Sequence, residues 1–246
     1  MTRLRVFQLR LLGTTALLVA AFGLVRLLWY PGAYFAISGA LTQFLVLAAV
    51  VVIIGPVLSA FVYKPGKSGL AFDLGILLGV ELLAIFVAMT LLYQRQPHFA
   101  VFAVDRFEAV ARGEVNIDEV PAAIDASRPG HAPRLVYAKM PEDPDVKSRL
   151  IDETVFMGMA DIDRRPEFWE PYARGIPVVR QAGRPLDTLL QGTPEQQRAA
   201  ARWLSSTGSS ASDYVYLPLR GRAGDAAIIL HAEIGFPVAT LRVDPW

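Results

Sequence analysis

The sequence predicts a membrane protein in two parts: three N-terminal transmembrane α-helices, then an extramembrane α+β domain with a C-terminal antiparallel hairpin. Three observations carry this. The 246 residues are 53% hydrophobic and only 19% charged, which is unlike an ordinary soluble chain. The charge is also divided. Residues 1–94 hold six Lys/Arg and two Asp/Glu, while the remainder holds eighteen and twenty-one, so a part of charge +4 precedes one of −3. Finally, every apolar run long enough to cross a bilayer lies in the first part. Residues 1–94 therefore read as a membrane anchor and 95–246 as the extramembrane domain. The division argues against a cytosolic enzyme and a disordered chain, and the absence of cysteine rules out a disulfide scaffold. No strongly basic domain exists to bind nucleic acid.

The expected spans are 11–28, 38–62 and 72–93. A helix rising about 1.5 Å per residue crosses a hydrocarbon core of about 30 Å in roughly 20 residues. The first run follows a basic start, as a signal peptide would, but it is long for that role and leads into two further spans, so it reads as retained. Gly55-Pro56 interrupts the second run without ending it, since neighbouring helices can satisfy the carbonyl that a proline frees. Positive charge sets the orientation. Arg3, Arg5 and Arg10 precede the first span and Lys64 and Lys67 lie between the second and third, so both stretches are expected in the cytoplasm. The uncharged Trp29-Tyr30-Pro31-Gly32-Ala33-Tyr34-Phe35 reads as an interfacial aromatic belt. Residues beyond Tyr93 are then expected on the other side of the membrane, which in a bacterium with an outer membrane is the periplasm.

Two ionisable residues fall within the spans. Arg26, about one turn from the outer end of the first, is placed to snorkel to the interface. Glu81 lies eight residues beyond Asp73, about 12 Å along the third helix. A charged carboxylate at such depth costs roughly 2.5–3.5 kcal/mol on insertion scales unless it is protonated or paired. Two readings follow. A protonated Glu81 donates to the Val52 carbonyl freed by Pro56, or Glu81, with Gly55 and Pro56, faces a groove that receives a partner's transmembrane helix. Small residues along spans one and two (Gly13, Ala16, Ala20 and Gly23; Gly39, Ala48, Ala49, Gly55 and Ser59) allow close helix packing, within the bundle or with another protein.

The extramembrane part opens with a strand at 99–104. A short helix over 116–127 follows, then a strand at 135–138. Asp143-Pro144 starts a helix through about 159 with one apolar face. Residues 161–191 are rich in Arg, Pro and aromatics, and Arg165-Pro166 opens a short helix there. Thr193-Pro194-Glu195-Gln196 is a capping box with proline at the first helical position, starting a helix that ends at Gly208. Residues 213–219 alternate as a strand, 220–225 turn, and 226–232 return, with one more strand over 238–243.

Little here points to chemistry. His98, His131 and His231 are scattered, without metal-ligand spacing. His231 and Glu233 share a strand face, which suits surface polarity before a metal pair. Ser148, Asp161 and His131 form a triad only on paper. Gly66-Lys67-Ser68 lacks the upstream glycine and strand of a phosphate loop and reads as a cytoplasmic turn. Phe168, Trp169, Tyr172 and Trp203 read as core or interface rather than as a ligand cage. The expectation is a non-catalytic protein with no cofactor and no metal.

Several residues together nevertheless carry a likeness. Gly55-Pro56 precedes Tyr63-Lys64-Pro65-Gly66-Lys67-Ser68-Gly69-Leu70 and Phe72-Asp73-Leu74. The third span exits through Arg95-Gln96-Pro97 to Asp105-Arg106-Phe107. Over 50–110 the chain resembles type IV pilin accessory proteins of the TfpX/TfpZ kind, with Glu81 where a glutamine is typical. It lacks the Gly-Phe-Thr-Leu-x-Glu start of a pilin itself. The resemblance implies an inner-membrane factor that assists or modulates assembly of a cognate type IV major pilin. It would meet pilin through its spans and periplasmic domain, alongside other pilus assembly proteins and membrane lipid. The alternative is a membrane-anchored periplasmic sensing or ligand-binding module.

Overall fold

Helices α1 (Arg3–Trp29), α2 (Ala40–Val62) and α3 (Leu70–Gln94) are each long and apolar enough to cross a membrane. They form one of two units in the computed structural model, which describes residues 2–124 and 133–246. Each helix runs slightly differently from its apolar stretch. α1 begins at Arg3 because the Thr2 hydroxyl accepts from the Arg5 N–H and caps it. Arg3, Arg5 and Arg10 thus belong to the helix rather than preceding it. α2 starts at Ala40, after Gly39 turns the chain in the left-handed region at φ +69°. At Ile53–Val57, α2 widens into a π-helical stretch around Pro56. Proline lacks an N–H and its ring crowds the carbonyl four residues back, and the wider turn gives both room. Large apolar side chains such as Leu12, Leu45, Phe61, Leu83 and Phe86 point outward, as a lipid-facing surface requires. Between helices, Phe22 meets Phe44 edge-on at 5.2 Å and Trp29 meets Tyr93 at 5.3 Å.

The second unit comprises Arg95–Trp246 together with Tyr30–Gly39. Tyr30–Gly39, read from the sequence as part of the anchor and its aromatic belt, thus groups with the residues beyond Gln94. Tyr30, Ala33, Tyr34 and Ile37 are buried in the core of this unit, Tyr30 completely. The Ala33 N–H donates to Thr240 Oγ1 at 3.2 Å, and the Ala223 N–H donates to the Ile37 carbonyl at 2.6 Å. An uncharged aromatic segment suits a protein core as well as it suits a membrane interface, and composition does not separate the two.

An eight-stranded mixed sheet organises the unit. Its strands are β1 (Pro97–Ala103), β2 (Arg106–Ala111), β3 (Arg134–Ala138), β4 (Trp169–Pro171), β5 (Arg184–Pro185), β6 (Tyr214–Arg220), β7 (Asp225–His231) and β8 (Pro237–Leu241). The order is β4-β3-β1-β2-β6-β7-β8, with β5 paired to β6 off this path. The pairs β1·β3 and β2·β6 are parallel and the others antiparallel. The expected C-terminal hairpin is present, in register from Tyr214↔His231 to Arg220↔Asp225.

Among the described residues, three longer helices pack on the sheet. Asp143 caps α4 (Pro144–Phe156), α5 spans Tyr172–Ala182, and the Thr193/Gln196 box opens α6 (Pro194–Thr207), which closes on Gly208 at φ +68°. The helix expected over 116–127 is instead two single turns, Ile117–Glu119 and Ala122–Ile124, separated by Pro121. Residues 125–127 of that expectation, and His131, lie outside the described residues.

One sheet face (Ala100, Phe102, Phe107, Leu217, Leu219, Ile228, Leu230) is covered by α5 and the Tyr30–Gly39 segment. On the other, Phe99, Val101, Val110 and Val136 pack with Leu150, Ile162 and Trp169. Beside them Tyr216, Ala227 and Ile229 pack with Leu186, Leu189 and Ala200.

Candidate functional site

In the helical unit, sequence reasoning singled out Glu81, Gly55 and Pro56, and the structure brings them together. Glu81 is 1% exposed. Arg10 Nη2 donates to its Oε2 at 2.8 Å, and Thr14 Oγ1 donates to its Oε1 at 2.5 Å. Arg10 Nε donates in turn to Ser59 Oγ at 3.1 Å. All three helices therefore contribute to one buried polar cluster. Gly55 makes it possible, since a Cβ there would stand 2.5–2.7 Å from the Glu81 carboxyl atoms. The partner of Glu81 is thus a cation from α1, not the carbonyl of Val52. Gly55 and Pro56 are also buried within this bundle. Paired in this way, a carboxylate can stay in a low-dielectric interior with its lone pairs satisfied. Sequence reasoning missed the pair because Arg10 stands just before the expected first span while Glu81 lies nine residues into the expected third.

The other cations that the sequence reading used for topology lie at or near helix ends. Arg3 Nε donates to the Tyr63 carbonyl at 3.1 Å, Lys67 pairs with Asp73 in the first turn of α3, and Arg5 and Lys64 are exposed.

The extramembrane unit holds a second polar concentration that sequence reasoning missed. Alternate residues of β2, Arg106, Glu108 and Val110, share a sheet face. Val110 joins the apolar cluster, but Arg106 and Glu108 stand between the two clusters of that face, with Arg220 opposite Glu108 in the β2·β6 register. Together with the turn at Asp161–Arg164 they line a cleft of about 380 Å³. Arg95, Glu114 and Arg222 are also among its walls. Arg106 Nε donates to Glu108 Oε1 at 3.0 Å, Arg222 Nη2 donates to Glu114 Oε1 at 2.6 Å, and Arg164 pairs with Asp163. Burial pushes the Glu108 carboxyl above its ordinary range despite Arg106, with Asp163 adding to the rise. Burial likewise raises Asp163, opposed by Arg164 and assisted by Asp161. The cleft is therefore densely charged, with the Glu108 and Asp163 carboxyls buried in its wall.

The other chemistry-bearing residues are not gathered. Ser148 is exposed on α4, while Asp161 accepts from the Ile162 N–H. His231 Nδ1 accepts from the Glu233 N–H at 3.3 Å. His98 lies edge-on to Phe99 at 4.7 Å. Among the described residues, no three His, Asp or Glu side chains are grouped as a metal site.

The chain is similar over most of its length to proteins of Dichelobacter nodosus. The fimbrial assembly protein of serogroup I is 26% identical over 232 residues, covering 92% of this chain and 89% of that protein. The serogroup E1 protein is 25% identical over 227 residues, covering 90% and 88%. The fimbrial assembly protein of serogroups C1 and C2 is 30% identical over 112 residues, covering 45% and 84%. No family model matches. No solved structure matches either.

Proposed function

Since the chain belongs to the family of fimbrial assembly and type IV pilin accessory proteins, we propose that it is an inner-membrane factor that assists or modulates assembly of a cognate type IV major pilin. The likeness to fimbrial assembly proteins over about nine-tenths of the chain carries this reading. A three-helix membrane unit joined to an α+β unit supports it. The protein acts by binding rather than by catalysis. Its helices meet the hydrophobic helix of a pilin, and its extramembrane unit, in the periplasm, meets the pilin head. Two contacts on one partner act through effective concentration, so each can be weak.

Deleting the gene should reduce surface pili while pilin itself is still made. Unchanged piliation and twitching in the deletion strain would refute the proposal. Site-specific crosslinking between the full chain and co-expressed pilin tests the partner directly. Capture of other envelope proteins with no pilin would assign a different one.

A further inference from the structure

The cleft beside β2 has an unbalanced charge inventory. Each of its carboxylates is already answered within the protein. Glu108 takes the Arg106 guanidinium, Glu114 takes Arg222, Asp163 takes Arg164, and Asp161 accepts from the Ile162 N–H. Two wall arginines are left over. Arg95 is exposed and has no ion pair among the described residues, and Arg220 is more than half exposed and reaches Glu108 only at 4.0 Å. A planar guanidinium with unused N–H groups suits a phosphate oxyanion, which it can hold through two parallel hydrogen bonds. A volume of about 380 Å³ lies in the range of small-ligand sites.

Covalent connectivity narrows the source of the anion. Arg95 is bonded to Gln94, the last residue of α3, and Ser38, another wall residue, stands two positions before the start of α2. Consecutive Cα atoms are about 3.8 Å apart, so neither residue is more than about 8 Å from the terminus of a helix read as spanning. The headgroup region of a bilayer adds some 5–7 Å on each side of the hydrocarbon core. Two wall residues are therefore tethered to the layer in which lipid phosphates lie.

We propose that this cleft is a phosphate site for the headgroup of an anionic phospholipid, with Arg95 and Arg220 as its ligating side chains. The inference rests on the three helices crossing a bilayer and is independent of pilin binding. A lipid held there fastens the unit to the membrane surface.

The test uses the full chain in mild detergent, with native mass spectrometry counting retained phosphatidylglycerol and phosphatidylcholine. A thermal-shift series with inorganic phosphate runs in parallel. Wild type should retain about one phosphatidylglycerol in preference to phosphatidylcholine. Arg95→Gln with Arg220→Gln should lower that retention at least tenfold, and Arg95→Lys should restore part of it. Both substitutions lie at exposed side chains, and an unchanged melting temperature will show that the variants fold. Retention equal in wild type and the double variant overturns the proposal. Stabilisation by inorganic phosphate that the double variant abolishes, without retention of phosphatidylglycerol, overturns the lipid assignment in favour of a soluble phosphate.

Discussion

Replacing Glu81 by leucine isolates the polar cluster of the helical unit. The substitution keeps the volume roughly constant and deletes two hydrogen bonds, from Arg10 and Thr14. It leaves the Arg10 guanidinium with Ser59 alone, although its side chain is still 22% exposed. Breaking one side of a fully buried ion pair costs about 3–5 kcal/mol. Polar contacts between membrane helices average only about 0.6 kcal/mol and reach about 1.7. The partial exposure of Arg10 places this case between the two, at about 2–3 kcal/mol. Arg10→Leu should cost a similar amount, because Glu81 then keeps only Thr14. The double variant replaces the whole pair by apolar groups, which is often neutral or better in a buried site. It should return to within about 1 kcal/mol of wild type, a coupling of about 3 kcal/mol or more. Reversible unfolding of the purified protein in bicelles, followed by titration with a denaturing detergent, measures all four corners of the cycle. If the double variant loses the sum of the single losses to within about 0.5 kcal/mol, Arg10 and Glu81 act independently. The pairing argument would then fail.

Other perturbations follow from the same geometry. Gly55→Ala forces the Glu81 carboxyl off its partners and should cost about 1–3 kcal/mol in the same assay, and an Arg10→Leu, Glu81→Leu background should reduce that cost. Gly221→Ala places a Cβ 2.5 Å from the Ile37 carbonyl oxygen, so it should release the Tyr30–Gly39 segment; faster amide exchange at Ala223 would report this, and unchanged protection would contradict it. Val104 turns the β1–β2 hairpin at φ +59° and is 65% exposed, a backbone region that suits asparagine better than a β-branched residue; Val104→Asn should raise stability by about 1 kcal/mol. The Glu108 and Asp163 carboxyls are raised by burial, so their contribution to stability is complete below the ordinary carboxylate range and is lost as pH rises through their elevated values. The melting temperature of Glu108→Gln relative to wild type should therefore climb across that window from acid toward neutral pH. A difference that does not vary with pH would show that Glu108 is not raised on folding.

The membrane half was legible because length and hydropathy are properties of the chain itself. Three apolar runs must be helices in lipid, where every backbone group needs an internal partner. The Thr193–Gln196 box and the β6–β7 hairpin were equally readable, since their signals lie within a few residues. Strand β2 was not. Its Arg106-Phe107-Glu108 alternation puts charge on a face that is otherwise buried, and the cleft that accommodates it is completed by the Asp161–Arg164 turn and by Arg220 and Arg222, far along the chain. Helix α5 was obscured by Gly175 and Pro177 within it. Gly175 is required because a Cβ would overlap the Tyr137 ring.

By itself, then, the sequence determined that the chain has three apolar helices and an α+β unit of opposite net charge, because patterning and composition act locally. The tertiary structure alone decided which charges meet. Arg10 was read as a topology signal and Glu81 as a buried expense, and only folding brought them within 2.8 Å. The same holds for Tyr30–Gly39, whose uncharged aromatics fit two environments. Its place in the core of the second unit depends on partners at Ala223 and Thr240, some two hundred residues distant. Pairing energies across such separations depend on distance in space, and spacing along the chain carries no record of it.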